Sequence, residues 1–196
     1  MHVLGVPGCH RGRKWRGGLT SIVPYGEISD DRQRNAEIDA IFFEASSRQS
    51  FEDDQARHAF RRMWLGRYLE QEPEHAFVAL DGDGRVCGYL VGSLDDPAQR
   101  PEFAELTYFR DFARETARFP AHLHINVDRE ARSRGIGAAL IEAFAGHLAR
   151  QGATGVHVVT GLGARNVRFY ERLGFSERGR ATWHSGEVVL LGRRLK

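Results

Sequence analysis

The fold of this chain is decided by the stretch VDREARSRGIGAAL, residues 127–140, which joins a strand to a helix. Before it, residues 122–127 (HLHINV) alternate polar and apolar side chains, the pattern of a half-buried strand. After it, apolar residues recur at helical spacing from residue 136 to about residue 150. Gly135 and Gly137 therefore stand where a helix begins.

The turn around these glycines predicts an anion-binding loop. The first N–H groups of a helix have no partner within it, and the helix dipole adds partial positive charge there. Glycine lets a phosphate approach the backbone, and Arg132 and Arg134 add charge. The spacing matches neither the Gly-x-Gly-x-x-Gly turn of dinucleotide-binding folds nor the Gly-Lys-Ser/Thr loop of nucleotide hydrolases. Tight packing would also explain a glycine pair, so the loop alone leaves both interpretations open.

A second motif follows downstream. Residues 155–159 (GVHVV) predict another strand, and after a glycine-rich loop come residues 166–175, NVRFYERLGF. Phe169 and Leu173 lie four apart on one helical face, and Gly174 is a helix stop. This is the pattern of a short core helix, which can also present one functional hydroxyl, that of Tyr170.

In this order, the two motifs resemble those of the GNAT family of N-acetyltransferases. The resemblance implies an α/β (α+β) fold, with helices on both faces of a mixed central sheet and two parallel strands splayed apart at an acetyl-CoA site. Residues 87–95, the long connection after them and residues 188–195 also resemble the acetyltransferase-like domain joined to O-GlcNAcase in animals. They resemble its free-standing bacterial relatives still more. This resemblance runs from about residue 31 to residue 196.

The family resemblance also implies site residues. In it the backbone N–H of Val127 would polarise the thioester carbonyl, and Tyr170 would protonate the departing thiolate. The strand end would pair with the pantetheine and the loop would hold the pyrophosphate. The acetyl-CoA-binding set implied in this way is Ile125, Asn126, Val127, Arg132, Ser133, Arg134, Gly135, Ile136, Gly137, Ala138, Asn166 and Phe169.

The acceptor amine must lose a proton, because a lysine-like amine with a pKa of ~10.4 is mostly charged at neutral pH. Candidate catalytic bases are His122 and His124, which with Asn126 share one face of a regular strand. By resemblance, His122 holds the position of the glutamate base in histone-type members. A strand histidine is also often a purely structural hydrogen-bonding group, and water can serve instead. No third ligand accompanies the two histidines, so no metal site is predicted.

The sequence departs from the family pattern at one position. Many members carry an asparagine seven residues before the tyrosine, where this chain has Gly163. Asn166 either substitutes for it from the next turn or leaves that cofactor contact missing.

Composition and length predict one globular domain, with 196 residues, 41% of them hydrophobic and 28% charged. Residues 1–30 are interpreted as an extension of uncertain order and residues 31–196 as the domain. No secretory signal and no apolar run long enough for a membrane span are found, so a cytoplasmic protein with reduced Cys9 and Cys87 is predicted. The basic cluster at residues 11–16 is more typical of a solvated arm than of a nucleic-acid site. A homodimer is a possible assembly.

Periodicity predicts the remaining elements. A helix from residue 29 or 30 to about 47 is followed by one at about 54–70 with Ala56, Phe60, Met63 and Trp64 inward. Hairpins are predicted at 75–80 with 85–93 and at 175–182 with 187–193. A helix is predicted at about 102–118, and one short strand at 19–23 is possible.

These features predict an N-acetyltransferase that moves acetyl from acetyl-CoA to a primary amine, either a peptide lysine or a small molecule. The alternative is a non-catalytic acetyl-CoA-binding or protein-interaction module of the same fold. The complete loop and Tyr170 favour catalysis. The segment 94–121 is expected to border the acceptor cleft, and its residues fit a peptide, an aminoglycoside or a small polyamine equally.

Overall fold

The computed structural model describes residues 20–46 and 48–195. Seven strands form one mixed sheet in the order β1-β2-β3-β4-β5-β7-β6. Neighbouring strands are antiparallel except β4 and β5, which are parallel. The strands are β1 (Ser21–Pro24), β2 (Phe77–Leu80), β3 (Val86–Ser93), β4 (Ala121–Val127), β5 (Gly155–Gly161), β6 (Ser176–Trp183) and β7 (Gly186–Arg194). The mixed sheet expected from the resemblance is confirmed.

Helices cover both faces of this sheet. The side chains of β4 show the division: Leu123, Ile125 and Val127 belong to the core on the α6 face, so His122 and His124 lie on the other face. The helices are α1 (Arg32–Ala45), α2 (Asp54–Arg61), a π-helical segment (Arg62–Gly66), α3 (Arg67–Gln71), α4 (Tyr108–Asp111), α5 (Ala113–Thr116), α6 (Ile136–Arg150) and α7 (Val167–Arg172). None of the helices in the described ranges is long and apolar enough to cross a membrane.

The first strand lies inside the stretch that the sequence analysis assigned to an extension. Strand β1 pairs with β2 at the sheet edge, with Ser21 opposite Leu80. Tyr25 and Ile28, just after it, are buried in the core. Residues 21–30 are therefore part of the fold, because they complete the sheet and cover its apolar face. Residues 1–19, including the basic cluster and Cys9, lie outside the described residues.

The second predicted helix is interrupted. Residues 62–66 form a π turn between α2 and α3, and this extra residue per turn rotates the face that meets the core. Leu65 and Tyr68 are buried as a result, whereas Met63 and Trp64 lie at the core margin. The prediction that Ala56, Phe60, Met63 and Trp64 form the inward face was therefore only partly right.

The single helix predicted at residues 102–118 is wrong. The chain there makes successive short turns, with N–H groups donating to the carbonyl three residues back, as from Leu106 to Phe103 and from Phe109 to Leu106. Phe103, Leu106 and Phe109 are spaced by three, so turns of three residues bury them on one side. In a regular α-helix each of these side chains would be rotated by about 60° from the one before it. The short helices α4 and α5 follow, and the N–H of Phe112 donates four residues back, to Tyr108.

Candidate active site

A gap opens between the two parallel strands. Strands β4 and β5 pair only at Ala121 with Val156 and at His122 with His157, although both strands continue for several residues. Beyond that point they diverge, as expected for the splayed strands. The far half of β4 therefore has one edge without a strand partner.

The backbone of β4 presents two residues to this gap. Asp128 N–H donates to the carbonyl of Cys87 on the β3 side, at 3.0 Å. Because hydrogen-bonded pairs alternate along an antiparallel ladder, Asn126 also faces β3, and the N–H and C=O groups of Ile125 and Val127 point away from it. Of the three strand residues expected to bind acetyl-CoA, these two turn their backbone groups toward the gap, and the carbonyl of Val127 accepts from Arg132 there. Asn126 instead uses its side chain, which donates to Tyr89 Oη at 2.7 Å.

The loop after β4 has an unusual backbone. Ser133 and Gly135 both adopt left-handed conformations, with φ of 62° and 81°. Such alternation turns successive N–H groups toward one concave surface, which suits an anion. A Cβ on Gly135 would meet no atom within 4 Å, so the glycine serves backbone conformation and leaves open space beside it. The left-handed Ser133 was not foreseen from the sequence.

The loop is held against the strand by arginine. Arg132 Nε donates to the carbonyl of Val127 at 3.1 Å, so its charge lies beside the gap. Gly135 is the N-cap of α6 and provides no capping side chain. The first N–H groups of α6 therefore have no side-chain cap from Gly135, and such a helix start can bind an anion.

The tyrosine helix packs directly on this loop. A Cβ on Gly137 would lie 3.0 Å from Cζ of Phe169, so only glycine accommodates the ring without a shift. Tyr170, the next residue, is buried between Phe169 and Phe175, with ring centroids 5.2 and 5.6 Å away. Burial raises the pKa of Tyr170 above its usual value, so the phenol stays protonated at neutral pH.

Tyr170 and the strand histidines occupy opposite faces of the sheet. Tyr170 belongs to the core on the α6 side, whereas His122 and His124 face Tyr68 and the α2–α3 layer. The gap between β4 and β5 is where groups from both faces can reach the same ligand.

His122 lies at the closed end of the gap and is 3% exposed. Its Nε2 is 3.1 Å from Tyr68 Oη. Burial, with the neighbouring His157 as a smaller cause, holds the pKa of His122 well below its usual value. His157 is itself fully buried, and its Nδ1–H donates to the carbonyl of Phe119 at 2.6 Å. Both imidazoles are neutral parts of the core at neutral pH.

His124 is nearer to solvent. It is half-buried, with its ring 5.4 Å from the rings of both Trp64 and Tyr68. Burial first, then the positive charge of Arg67, lowers its pKa to about 4. Among the described residues, no three His, Cys, Asp or Glu side chains are grouped as metal ligands.

The structure shows the surroundings of Gly163, which replaces the usual family asparagine, and of Asn166. Gly163 has φ of 76° in the turn that leads to α7, a conformation that favours glycine and tolerates asparagine. Asn166 is exposed beside α7, and its Oδ1 accepts from Thr160 Oγ1 at 3.0 Å. Asn166 therefore connects the end of β5 to the tyrosine helix.

Sequence reasoning missed three residues of this region. Tyr68, Tyr89 and His157 all contact the polar face of β4 or its neighbour. His157 was visible as a polar residue within an apolar strand, and alternation alone could have placed it on one face. The two tyrosines gave no signal, because they come from distant segments.

The sequence model of the acetyltransferase (GNAT) family matches residues 38–175. The chain belongs to the GNAT family. The crystal structure of SsHAT is 28% identical with a TM-score of 0.68, covering 90% of this chain and 98% of that one. A GCN5-related N-acetyltransferase from Kribbella flavida (20% identity, TM-score 0.59) covers 90% and 98%, and the NatC complex bound to Gag peptide and CoA (18%, 0.63) covers 90% and 99%. These last two share the fold.

As a GNAT member, the protein is an acetyltransferase that uses acetyl-CoA as its acetyl donor. This assignment favours the enzyme over the non-catalytic module considered from the sequence. The phosphate loop and the splayed strands described above are the parts of the fold where the GNAT donor is expected.

Proposed function

We propose that this acetyltransferase acetylates a primary amine by direct attack of the amine nitrogen on the thioester carbon. One C–N bond forms, the C–S bond breaks, and the proton released by the amine balances the one that the CoA thiolate takes up. The observation that carries this proposal is the open edge of β4 after the His122–His157 pair, directly before a left-handed loop at the start of α6.

The donor-binding roles follow from that edge. The N–H and C=O groups of Ile125 and the N–H of Val127 would pair with the pantetheine as an added strand, whereas the carbonyl of Val127 already accepts from Arg132. The backbone from Ser133 to Ala138, with Arg132 and Arg134, would hold the pyrophosphate. Phe169 and Asn166 would support this site by fixing α7 against the loop and against β5.

The catalytic roles divide between the two faces of the sheet. The N–H of Val127 would stabilise the oxyanion, because it points into the gap and is already oriented by the ladder. Tyr170 would donate its proton to the departing thiolate, and its buried, protonated phenol supports that role. His124 would receive the proton of the amine, directly or through water, since it is more exposed than His122. His122 would contribute indirectly, by positioning the hydroxyl of Tyr68 through their hydrogen bond.

The test is acetyl transfer itself. The purified protein is incubated with acetyl-CoA and a broad panel of primary amines, and free thiol and acetylated product are both measured. Equal release of thiol and product with at least one amine supports the proposal. Tight acetyl-CoA binding without transfer to any amine contradicts it.

We propose three finer assignments. The first is kinship with the free-standing bacterial relatives of the acetyltransferase-like domain of O-GlcNAcase, supported by the resemblance over residues 87–95 and 188–195. The second is a cytoplasmic location. The third is a homodimer without nucleic acid, which size-exclusion chromatography with light scattering would test.

A further inference from the structure

An aromatic row borders the gap on the histidine face. The ring of His124 contacts that of Trp64, whose centroid lies 6.0 Å from the ring centroid of Trp183. Trp183 in turn contacts the rings of Tyr108 and His184, with centroid distances of 5.3 and 4.6 Å. The row therefore runs from β4, across the π-helical segment, to the turn between β6 and β7.

Part of this row is accessible. Trp64, Trp183 and His124 are partly exposed and His184 is exposed, so they present ring surface to a ligand. Partly exposed tryptophan rings at a cleft bind flat or apolar groups, because the rings offer a large apolar surface for stacking. The row thus forms an apolar wall next to the edge where the acetyl donor is expected.

The charge beside this wall is positive. Arg67 is the strongest charged influence on His124, Tyr68 and Tyr108. It donates to the carbonyl of Glu102 and lies over the Phe103 ring, and it has no ion-pair partner within residues 20–46 and 48–195. The carboxylate of Glu102 is paired with Arg100 instead.

An ammonium group would be poorly stabilised in this environment. It would lose hydration beside these partly buried rings, and although tryptophan faces attract cations, the positive charge of Arg67 would repel it. His124, the proposed proton acceptor, is too weak a base to remove the proton of a lysine-like ammonium ion efficiently, because burial lowers its pKa to about 4. The neutral fraction of a weakly basic amine avoids all three costs.

We infer that the acceptor is a weakly basic primary amine carried beside an aromatic or apolar group, and that Trp64 and Trp183 bind that group while Arg67 excludes lysine-like ammonium ions. This rests on the proposed function and narrows its acceptor class. A peptide α-amine next to an apolar side chain and a small aromatic amine share this chemistry.

Ionisation gives the expected discrimination its size. With a pKa of about 8, roughly a quarter of an α-amine is neutral at pH 7.5, whereas about one lysine side chain in a thousand is neutral. The site has no strong base to remove this difference. The lysine-like acceptor should therefore be at least tenfold poorer in kcat/KM.

The experiment compares four acceptors with the full-length enzyme at pH 7.5. Phenylalaninamide carries an α-amine beside a ring, and glycinamide carries the same amine without it. N-acetyl-lysinamide offers only the ε-amine, and aniline represents the small aromatic amine. We expect kcat/KM for phenylalaninamide or aniline to exceed that for N-acetyl-lysinamide at least tenfold, and phenylalaninamide to exceed glycinamide. The ratio of phenylalaninamide to aniline then separates the peptide source from the small-molecule source.

Variants test whether the preference among acceptors depends on the tryptophan wall and on the charge of Arg67. Trp183→Leu and Trp64→Leu should reduce the ratio of phenylalaninamide to glycinamide several-fold, whereas Phe51→Leu, a partly buried aromatic that contacts Phe43 and Phe60, should leave that ratio unchanged. Arg67→Met keeps the aliphatic stem without the charge, and should raise the relative rate with N-acetyl-lysinamide. Thermal unfolding confirms that each variant folds.

Two results separate failure of this inference from failure of the proposed function. If N-acetyl-lysinamide is acetylated as well as phenylalaninamide, the inference is overturned while acetyl transfer to an amine stands. If acetyl-CoA binds but none of these acceptors nor any amine of a broad panel is acetylated, the proposed function is overturned and the inference with it.

Discussion

Gly137 and Phe169 join the two motifs of the site by direct contact. A Cβ built on Gly137 would come within 3.0 Å of Phe169 Cζ and 3.7 Å of Val127 Cγ2. The start of α6, the end of β4 and the tyrosine helix therefore meet at one point. Phe169 precedes Tyr170 on α7, and the centroids of their rings are 5.2 Å apart.

The first prediction tests this contact. Gly137→Ala should lower the free energy of unfolding by about 1–3 kcal/mol and also lower kcat, because the added methyl displaces the Phe169 ring. Phe169→Leu removes the ring edge and should recover part of both losses when combined with Gly137→Ala. Denaturant titration and steady-state kinetics of the four proteins complete the cycle. Strict additivity of the two changes would contradict the coupling.

The second prediction concerns the phosphate loop. Gly135→Glu should weaken acetyl-CoA binding at least tenfold, because it places a carboxylate where the pyrophosphate is expected, as calorimetry would show. Gly152→Glu is a matched control at the other end of α6, since Gly152 also has φ of 81° and open space around it. Both variants should lose about 1–2 kcal/mol of stability from the left-handed conformation. Unchanged cofactor affinity in Gly135→Glu would show that the loop does not bind the phosphates.

The third prediction concerns Tyr170. Phenylalanine keeps the packing against Phe169 and Phe175, so Tyr170→Phe should fold and bind acetyl-CoA normally. If the hydroxyl is the general acid, kcat should fall by about 10²–10⁴ with KM little changed. Tyr25→Phe is the control: it removes a buried hydroxyl that donates to Asn35 and should cost about 1 kcal/mol of stability without affecting kcat.

The pH profile adds an independent check on this residue. Tyr170 must be protonated to act, and burial raises its pKa above the usual value of 10. The loss of enzyme activity that deprotonation of Tyr170 causes should therefore begin only above about pH 10. If Tyr170→Phe turned over any acceptor at the wild-type rate, Tyr170 would be a packing residue and not the general acid.

The fourth prediction is a pH dependence of stability. Burial lowers the pKa of His157 from 6.5 to about 4, so the folded chain binds a proton less readily than the unfolded chain. Stability is therefore complete above about pH 6.5 and falls as the pH drops toward 4. His157 alone should lower the free energy of unfolding at pH 5 by about 2 kcal/mol. Urea titrations at pH 7 and pH 5 measure this loss.

A variant isolates the contribution of His157. His157→Asn retains a donor for the Phe119 carbonyl and does not titrate in this range, so it should be less stable at pH 7 but lose less on acidification. Equal losses in His157→Asn and the wild type would contradict the buried neutral state.

The sequence alone determined the parts of the site that depend on local backbone chemistry. The strand at residues 121–127, the glycine turn and helix α6 were all predictable, because a two-residue alternation, a left-handed glycine and a helical period each act within a few residues. The tyrosine helix was found for the same reason.

Only the tertiary structure decided which groups surround those parts. The partner of His122 is Tyr68, 54 residues away, and that of His157 is Phe119, 38 residues away. Whether a strand histidine is a solvated base or a neutral core group depends on such contacts, which no local pattern encodes. The same holds for the π turn that moves Trp64 to the core margin and for the pairing of β1, since burial against distant segments outweighs local propensity.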